Sequence, residues 1–195
     1  MNEATIKEFE KLSAYWNEAL AFEGRPLANG YVEDDWWRIC PSSKLIEAIK
    51  RLKGSNKVLD YGAGSGWASI AAVKCGVNNI LAVDTAENSA KMVGYYAKAF
   101  GVDKEITPQL IDSEWLIKED DESYDGIICS NVLDVIPLEM MEESLANLAP
   151  NPEEGLPYGC GAKLLPKRRR CVKARLRSQR ERGLRRKCPP APIDR

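Results

Sequence analysis

Hydrophobic residues recur along the first 150 residues in two alternating rhythms, which predict alternating helices and strands. Spacings of three and four within residues 3–21 predict an amphipathic helix, built on Ile6, Phe9, Leu12, Trp16 and Leu20. Short apolar runs predict four strands at 58–61, 79–84, 105–111 and 124–130. Helical spacing predicts further helices at 41–53, 67–75, 86–100 and 138–149. This alternation predicts an α/β fold in which helices cover both faces of a mostly parallel sheet.

The most informative stretch is an apolar run that leads into three alternate glycines. The predicted strand 58–61 is followed by Gly62, Gly64 and Gly66, and a helix-compatible segment comes next. Glycine permits positive φ and lets a ligand approach the backbone N–H groups at the start of the following helix. The spacing is neither the Gly-x-Gly-x-x-Gly of dinucleotide-binding folds nor a P-loop. What remains is an acidic residue, Asp60, followed by x-Gly-x-Gly-x-Gly.

This pattern resembles the first motif of class I S-adenosylmethionine-dependent methyltransferases. In that family the glycine loop runs under the amino-acid end of the cofactor. A second mark agrees, because the next predicted strand ends at Asp84, about 20 residues later, where an acid would hold ribose hydroxyls. The resemblance covers residues 35–149. It implies a Rossmann-like, doubly wound sheet with an N-terminal helical extension, and S-adenosyl-L-methionine as the cofactor.

The resemblance also assigns cofactor-binding residues, most of them at strand ends. Those around the methionyl end are Asp60, Gly62, Ala63, Gly64 and Gly66. Those at the ribose, at the adenine ring and at the exit of the fourth strand are Asp84, Thr85, Asp112, Ser113 and Asn131. A solvated turn is the alternative for the pair at 112 and 113. No catalytic base is assigned, and because the chain has no histidine that role would fall to a carboxylate or a tyrosine.

The residues after the fourth strand predict the class of methyl acceptor. Methyltransferases that act on amino groups of nucleobases or glutamine carry Asn/Asp-Pro-Pro-Tyr/Phe there. This chain has Ser-Asn-Val-Leu-Asp-Val-Ile-Pro over 130–137, which resembles the small-molecule branch. The prediction is therefore methyl transfer to a small-molecule acceptor.

Three aromatic residues are weaker candidates for the walls of the substrate site, with core packing as the alternative. They are Tyr15, Trp36 and Trp37. In the resembled family a leading helix lies over the cofactor, which would make Tyr15 part of a lid. Neighbouring side chains such as Trp36 and Trp37 cannot share one face, so one of the two should be less buried.

Charge divides the chain into two parts of opposite character. The net charge of the 195 residues is −1, but residues 1–150 carry 14 Lys and Arg against 25 Asp and Glu, and residues 151–195 carry 14 against 4. We predict a helical extension at 1–40, a cofactor-binding core at 41–149 and a basic, disordered tail at 150–195. A tail of this charge leaves an RNA-binding protein as one alternative function, which the acidic core makes unfavourable. An inactive cofactor-binding fragment is the other.

The family pattern stops after Ala149, where a fifth strand is expected. Residues 149–155 have possible codons from which the loss of one nucleotide would give Ala-Arg-Ile-Leu-Lys-Lys-Gly, the turn that precedes the fifth strand in the resembled family. The sequence therefore predicts a truncated or frameshifted chain whose sheet is incomplete at its C-terminal end.

Targeting and metal-binding patterns add little to these predictions. No signal peptide and no apolar run of membrane-spanning length is recognisable, which predicts a cytoplasmic protein without a membrane partner. The six cysteines lack the paired spacing of a zinc site, so no metal is predicted. The oligomeric state is not predicted.

Overall fold

A parallel β-sheet forms the centre of the protein. The computed structural model describes residues 2–21, 33–119 and 123–148. Within them, the strands are β1 (Val58–Tyr61), β2 (Ile80–Asp84), β3 (Ile106–Leu110) and β4 (Gly126–Ile128). Their spatial order is β3-β2-β1-β4, and each neighbouring pair is parallel. The order reverses between β1 and β4, and in open α/β sheets ligands bind at the carboxyl ends of the strands beside such a reversal.

Helices flank this sheet and connect its strands. In chain order they are α1 (Glu3–Ala19), α2 (Ser43–Ile49), α3 (Trp67–Lys74), α4 (Glu87–Ala99), α5 (Trp115–Lys118) and α6 (Leu138–Leu148). Two 3-10 segments lie at Glu33–Ile39 and Lys50–Leu52. The Ser42 side chain caps the start of α2 by accepting from the backbone N–H of Leu45.

Two apolar clusters bury the two faces of the sheet. The first includes Val58 of β1 and Ile70 of α3, both fully buried. The second includes Leu59 of β1 with Leu116 of α5 and Leu148 of α6. Consecutive residues of β1 thus enter opposite clusters, as expected for a strand that is covered on both sides. The predicted doubly wound fold is confirmed.

Most predicted elements lie where the hydrophobic pattern placed them. The leading helix is α1. Strand β3 is at an edge of the described sheet, where a proline such as Pro108 is tolerated, and Pro108 is in register with Ala82. Strand β4 is shorter than its predicted range. Helix α5 was not predicted, since four residues are too few to show a helical period.

Several predictions fall outside the described residues. They are the tail at 150–195, the incomplete C-terminal part of the sheet and part of the helical extension at 1–40. The three-part division of the chain stays a prediction. No helix in the described part of the chain is long and apolar enough to cross a membrane.

Candidate functional site

The glycine loop between β1 and α3 is shaped by packing on two sides and is open at its middle. Gly62, Gly64 and Gly66 all have left-handed backbones, with φ of 73°, 56° and 79°. A Cβ at the first would overlap the side chain of Val132, and a Cβ at the third would lie 3.1 Å from a methyl carbon of Val93. A Cβ at Gly64 would meet no atom within 4 Å. The middle glycine therefore faces the side from which a ligand can reach the loop.

Asp84, at the end of β2, braces this loop. One carboxylate oxygen accepts from the backbone N–H of Gly64 at 2.9 Å, and the other accepts from the N–H of Ala86 at 2.9 Å. The Ser89 hydroxyl donates to the Gly64 carbonyl at 2.7 Å. A carboxylate has about four acceptor positions, so two such bonds leave capacity for ligand hydroxyls. The acid predicted to hold the ribose also connects the loop to the start of α4.

Asp60 lies beneath the loop and is 2% exposed. The Ser69 hydroxyl of α3 donates to its carboxylate at 2.6 Å. Burial raises the pKa of Asp60 from 3.8 to about 6, the hydrogen bond from Ser69 opposes that rise, and the charge of Asp84 adds to it. The carboxylate therefore supports the loop from below rather than facing solvent.

A cavity of about 460 Å³ lies between α1 and the carboxyl ends of β2 and β3, and its lining includes Thr85, the residue that follows Asp84. The predicted site residues in its lining are Thr85, Asp112 and Ser113. Residues of α1 that the sequence did not predict as site residues also line it. Ile6 and Phe9 belong to the apolar period of the helix, whereas Glu10, Ser13, Ala14 and Asn17 are small or polar, so an apolar period could not reveal them.

Asp112 takes part both in a turn and in the cavity wall. The residue is exposed, and its carboxylate accepts from the backbone N–H of Glu114 at 2.9 Å. The Lys118 ammonium lies 3.9 Å from its other oxygen. Asp112 therefore forms the predicted turn, and its side chain also lies at the rim of the cavity. Its role at the adenine ring stays a prediction.

Helix α1 lies across this site and is attached at several points. The Ser13 hydroxyl donates to the carbonyl of Thr85 at 3.0 Å, and the Asn17 side-chain oxygen accepts from the backbone N–H of Asn88 at 2.9 Å. Near the start of the helix, the Thr5 hydroxyl donates to the Glu139 carboxylate at 2.6 Å. The helix is therefore tied to β2, α4 and α6 and forms a wall of the cavity.

The exit of β4 contains an unusual backbone. Asn131 is exposed and has φ of 60°, the one left-handed non-glycine residue among those the structure describes. Asparagine adopts this conformation more readily than most residues, and positions of this kind cluster at functional sites. The next residue, Val132, packs on Gly62, so the loop after β4 lies against the glycine loop.

The aromatic candidates do not line the cavity. Tyr15 is 62% exposed and makes an edge contact with Trp16, with ring centroids 5.4 Å apart. Trp36 packs against the first apolar cluster, whereas Trp37 is 55% exposed. The expected difference in burial between the two tryptophans is present. A role of these residues in substrate binding stays a prediction.

The sequence model of the ribosomal protein L11 methyltransferase (PrmA) family matches residues 42–162, more than half of the chain. The chain belongs to the PrmA family. Two relatives, the ribosomal protein L11 methyltransferases of Thermotoga petrophila and Thermotoga maritima, are each 33% identical to it over 94 residues. That match covers 48% of this chain and 33% of each relative, so the chain spans about a third of the length of the curated relatives it matches.

Comparison with solved structures agrees with the predicted fold. The N-methyltransferase NodS of Bradyrhizobium japonicum, solved in complex with S-adenosyl-L-homocysteine, superimposes with a TM-score of 0.50 at 13% identity, over 69% of this chain and 64% of NodS. The predicted class I methyltransferase family is confirmed by the PrmA match, and the NodS comparison supports the fold; S-adenosyl-L-methionine as the cofactor of this chain belongs to the proposed function.

The predicted acceptor is corrected by these comparisons. The PrmA family and both Thermotoga relatives are named for a ribosomal protein as acceptor, which contradicts the small-molecule acceptor predicted from residues 130–137. That prediction was wrong because it rested on a missing Pro-Pro turn. The absence of one class's motif does not identify another class of acceptor.

Proposed function

We propose that this chain carries the methyl-transfer site of a PrmA-type enzyme and that the methyl acceptor is an amino group of a protein. Support for the acceptor comes from the names of the family and of its Thermotoga relatives. Ribosomal protein L11 is therefore the first substrate to test. A ribosomal-protein acceptor also agrees with the cytoplasmic location predicted from the sequence. That location is part of the same proposal.

The observation that carries this proposal is the open middle of the glycine loop beside Asp84. Packing explains glycine at two of the three positions, but nothing in the described part of the protein fills the space at Gly64. The cavity lined by Thr85, which follows Asp84 in the chain, extends toward α1. This order suits an elongated ligand. Its amino-acid end would lie at the glycine loop, its ribose at the Asp84 carboxylate and its base in the cavity.

The proposed roles follow from these positions. Gly62, Ala63, Gly64 and Gly66 present backbone to the methionyl end, and Asp60 supports them from below. Asp84 and Thr85 lie at the ribose, and Asp112 and Ser113 lie at the adenine ring. Asn131, exposed at the exit of β4, borders the space in which the methyl group would be transferred. The bound cofactor would supply a methyl group on a positively charged sulfur.

Alignment is the main contribution that such a site can make to the reaction. Holding the acceptor nitrogen in line with the methyl group can lower the barrier by up to ~7–11 kcal/mol. Walls formed by α1 and the loop after β4 would exclude water from the transfer path. Because the chain contains no histidine, a proton leaving the acceptor amine would pass to a carboxylate or to solvent.

The cofactor part of the proposal is tested with two matched glycine variants. Gly64 and Gly54 both have positive φ, 56° and 89°, and a Cβ at either would meet no atom within 4 Å. Replacing either by Ala therefore introduces backbone strain of about 1–2 kcal/mol without a clash. We expect Gly64→Ala to weaken S-adenosylhomocysteine binding at least tenfold in calorimetry, and Gly54→Ala to leave it unchanged. Equal affinities for the two variants would contradict the assignment of the loop.

The acceptor part is tested separately by transfer of a radioactive methyl group to purified ribosomal protein L11. We expect incorporation that is lost with Gly64→Ala and retained with Gly54→Ala. Cofactor binding without incorporation into L11 would refute the acceptor and leave the cofactor site standing. Bulk ribosomal protein in the same assay would show whether a different subunit protein is methylated.

A further inference from the structure

Positive charge within the first 150 residues is concentrated in one segment. Residues 38–57 carry six Lys and Arg against a single carboxylate, whereas residues 1–150 as a whole carry 14 against 25. The six are Arg38, Lys44, Lys50, Arg51, Lys53 and Lys57, and all but the last are exposed. This segment therefore presents a positive surface on a part of the protein that is otherwise negative.

Contacts gather this segment at the C-terminal end of α3. A Cβ at Gly76, just after the helix, would lie 3.4 Å from Cγ of Lys53. Burial raises the pKa of Cys75 and the charge of Lys50 opposes that rise, so the two side chains lie close together. Burial, with a contribution from Cys75, raises the pKa of Cys40 to about 11, and both thiols pack against the first apolar cluster. The chain before α2 and the turn after it thus meet at the end of α3.

The surface lies at the opposite end of the sheet from the glycine loop. Lys57 precedes the first residue of β1, and α3 starts beside the glycine loop and runs back to Lys74. Eight helical residues span about 12 Å, which separates the two ends of α3. A partner at this end would leave the loop and the cavity accessible.

Helix stability accounts for only part of this charge. A cation near a helix C-terminus is favourable, which suits Lys53 at the end of α3. Lys44 lies in the first turn of α2, where a cation is unfavourable. Trp37 is 55% exposed beside Arg38, and its carbonyl accepts from the N–H of Cys40 at 3.3 Å. The groups that helix stability leaves unexplained are cations and an aromatic ring, which are the groups that bind phosphates and stack on bases.

We propose that Trp37 and the five exposed cations of residues 38–53 form a basic surface that binds single-stranded RNA. The cations contact phosphates, and the Trp37 ring stacks on an unpaired base. The inference rests on the proposed function only for the source of the RNA, because a ribosomal-protein acceptor is assembled with RNA. Contact at this end of the sheet holds the enzyme beside its acceptor while the cofactor site stays open.

The test is the binding of a fluorescent oligouridine of about 20 nucleotides, longer than a typical single-strand site, to the full chain. We expect Arg51→Gln combined with Lys53→Gln to weaken binding about tenfold or more. The slope of log affinity against log salt should fall by about 1.4, because each phosphate contact on a single strand contributes about 0.7. Trp37→Ala should weaken binding about fivefold or more. The affinity of these variants for S-adenosylhomocysteine should equal that of the wild type.

The matched control is Lys7→Gln combined with Lys11→Gln, which removes the same charge from the exposed face of α1. Equal losses in the two double variants would show that net charge alone attracts the RNA. Unchanged binding by the Arg51 and Lys53 variant would show that the basic residues of 151–195 bind it instead. Either result, or no RNA binding by the wild type, would overturn the inference.

Two further outcomes separate this inference from its alternatives. Displacement of the RNA by polyglutamate of equal charge at equal concentration would assign the surface to an acidic protein and overturn the RNA partner. RNA binding at this surface without methyl transfer to ribosomal protein L11 would refute the proposed acceptor and leave the RNA contact standing.

Discussion

Asp60 shows how one residue can be unfavourable for the fold and useful in the site. Its carboxylate is fully enclosed beneath the glycine loop, with the Ser69 hydroxyl as a donor and the Asp84 carboxylate as a repelling neighbour. An ionised carboxylate in such a place destabilises the folded state, because burial removes its hydration. We attribute its presence to the positive charge at the amino-acid end of the proposed cofactor.

Replacing Asp60 with Asn should make stability less dependent on pH. The pKa of Asp60 is raised from 3.8 to about 6 in the folded state, so its stabilising contribution is fully present below 3.8 and is lost as pH rises through 6. We expect Asp60→Asn to match the wild type near pH 4. At pH 7.5 its free energy of unfolding should be higher by up to about 3 kcal/mol.

The measurement is urea unfolding between pH 4 and 8, with S-adenosylhomocysteine affinity determined on the same samples. The affinity of Asp60→Asn for S-adenosylhomocysteine should fall, although its free energy of unfolding at pH 7.5 rises. Asp103→Asn, at an exposed carboxylate, is the control and should change neither quantity. A stability gain for Asp60→Asn that is the same at every pH would contradict the assigned pKa.

Individual residues differ in how far the sequence could predict them. The glycines and Asp84 were predictable because their spacing along the chain fixes their place at strand ends. The contact between Asp60 and Ser69 was not, because it depends on how β1 and α3 pack together. The role of Asp84 as a brace for Gly64 likewise joins two residues that are distant in sequence.

At the level of elements, α1 has the clearest link between packing and function. It forms one wall of the cavity, and it is attached to α6 outside the cavity, where the Thr5 hydroxyl and the Asn2 side-chain amide both donate to the Glu139 carboxylate. The hydrogen bond from Thr5 lowers the pKa of Glu139. The regular spacing of its apolar residues made α1 predictable as a helix. The position of α1 over the site depends on polar contacts, and these follow no regular spacing in the sequence.

Loosening this attachment should speed ligand release without altering the binding residues. Thr5→Val keeps the shape of the side chain and removes its hydroxyl. We expect the dissociation rate of S-adenosylhomocysteine to rise roughly threefold to tenfold, on the scale of one lost hydrogen bond. Amide hydrogen exchange in α1 should become faster as well.

Lys7→Ala serves as the control, because the Lys7 pair with Glu3 is exposed and lies within α1 itself. It should leave both the release rate and the exchange of α1 unchanged. Faster exchange in Thr5→Val with no change in release would show that α1 is not part of the closure of the site.

At the level of the whole molecule, the described sheet ends at β4, which pairs with β1 on one side. The sequence predicts a fifth strand after Ala149 only in another reading frame, and the charge of the chain changes sign close to that residue. The family match continues to residue 162, beyond the predicted break. The nucleotide sequence of the gene decides whether the residues after Ala149 are encoded in the present reading frame or in the alternative one.

We therefore predict that the gene, read in the alternative frame after Ala149, encodes Ala-Arg-Ile-Leu-Lys-Lys-Gly followed by an apolar run. A chain corrected by that single nucleotide should supply a strand to pair with β4, whose hydrogen-bonding edge would otherwise be open to association with other molecules. We expect the corrected chain to unfold at a higher temperature, to remain monodisperse at higher concentration and to bind S-adenosylhomocysteine more tightly than the chain given by the present sequence. Codons at 149–155 that cannot be read as this turn would refute the prediction, as would equal stability and affinity of the two chains.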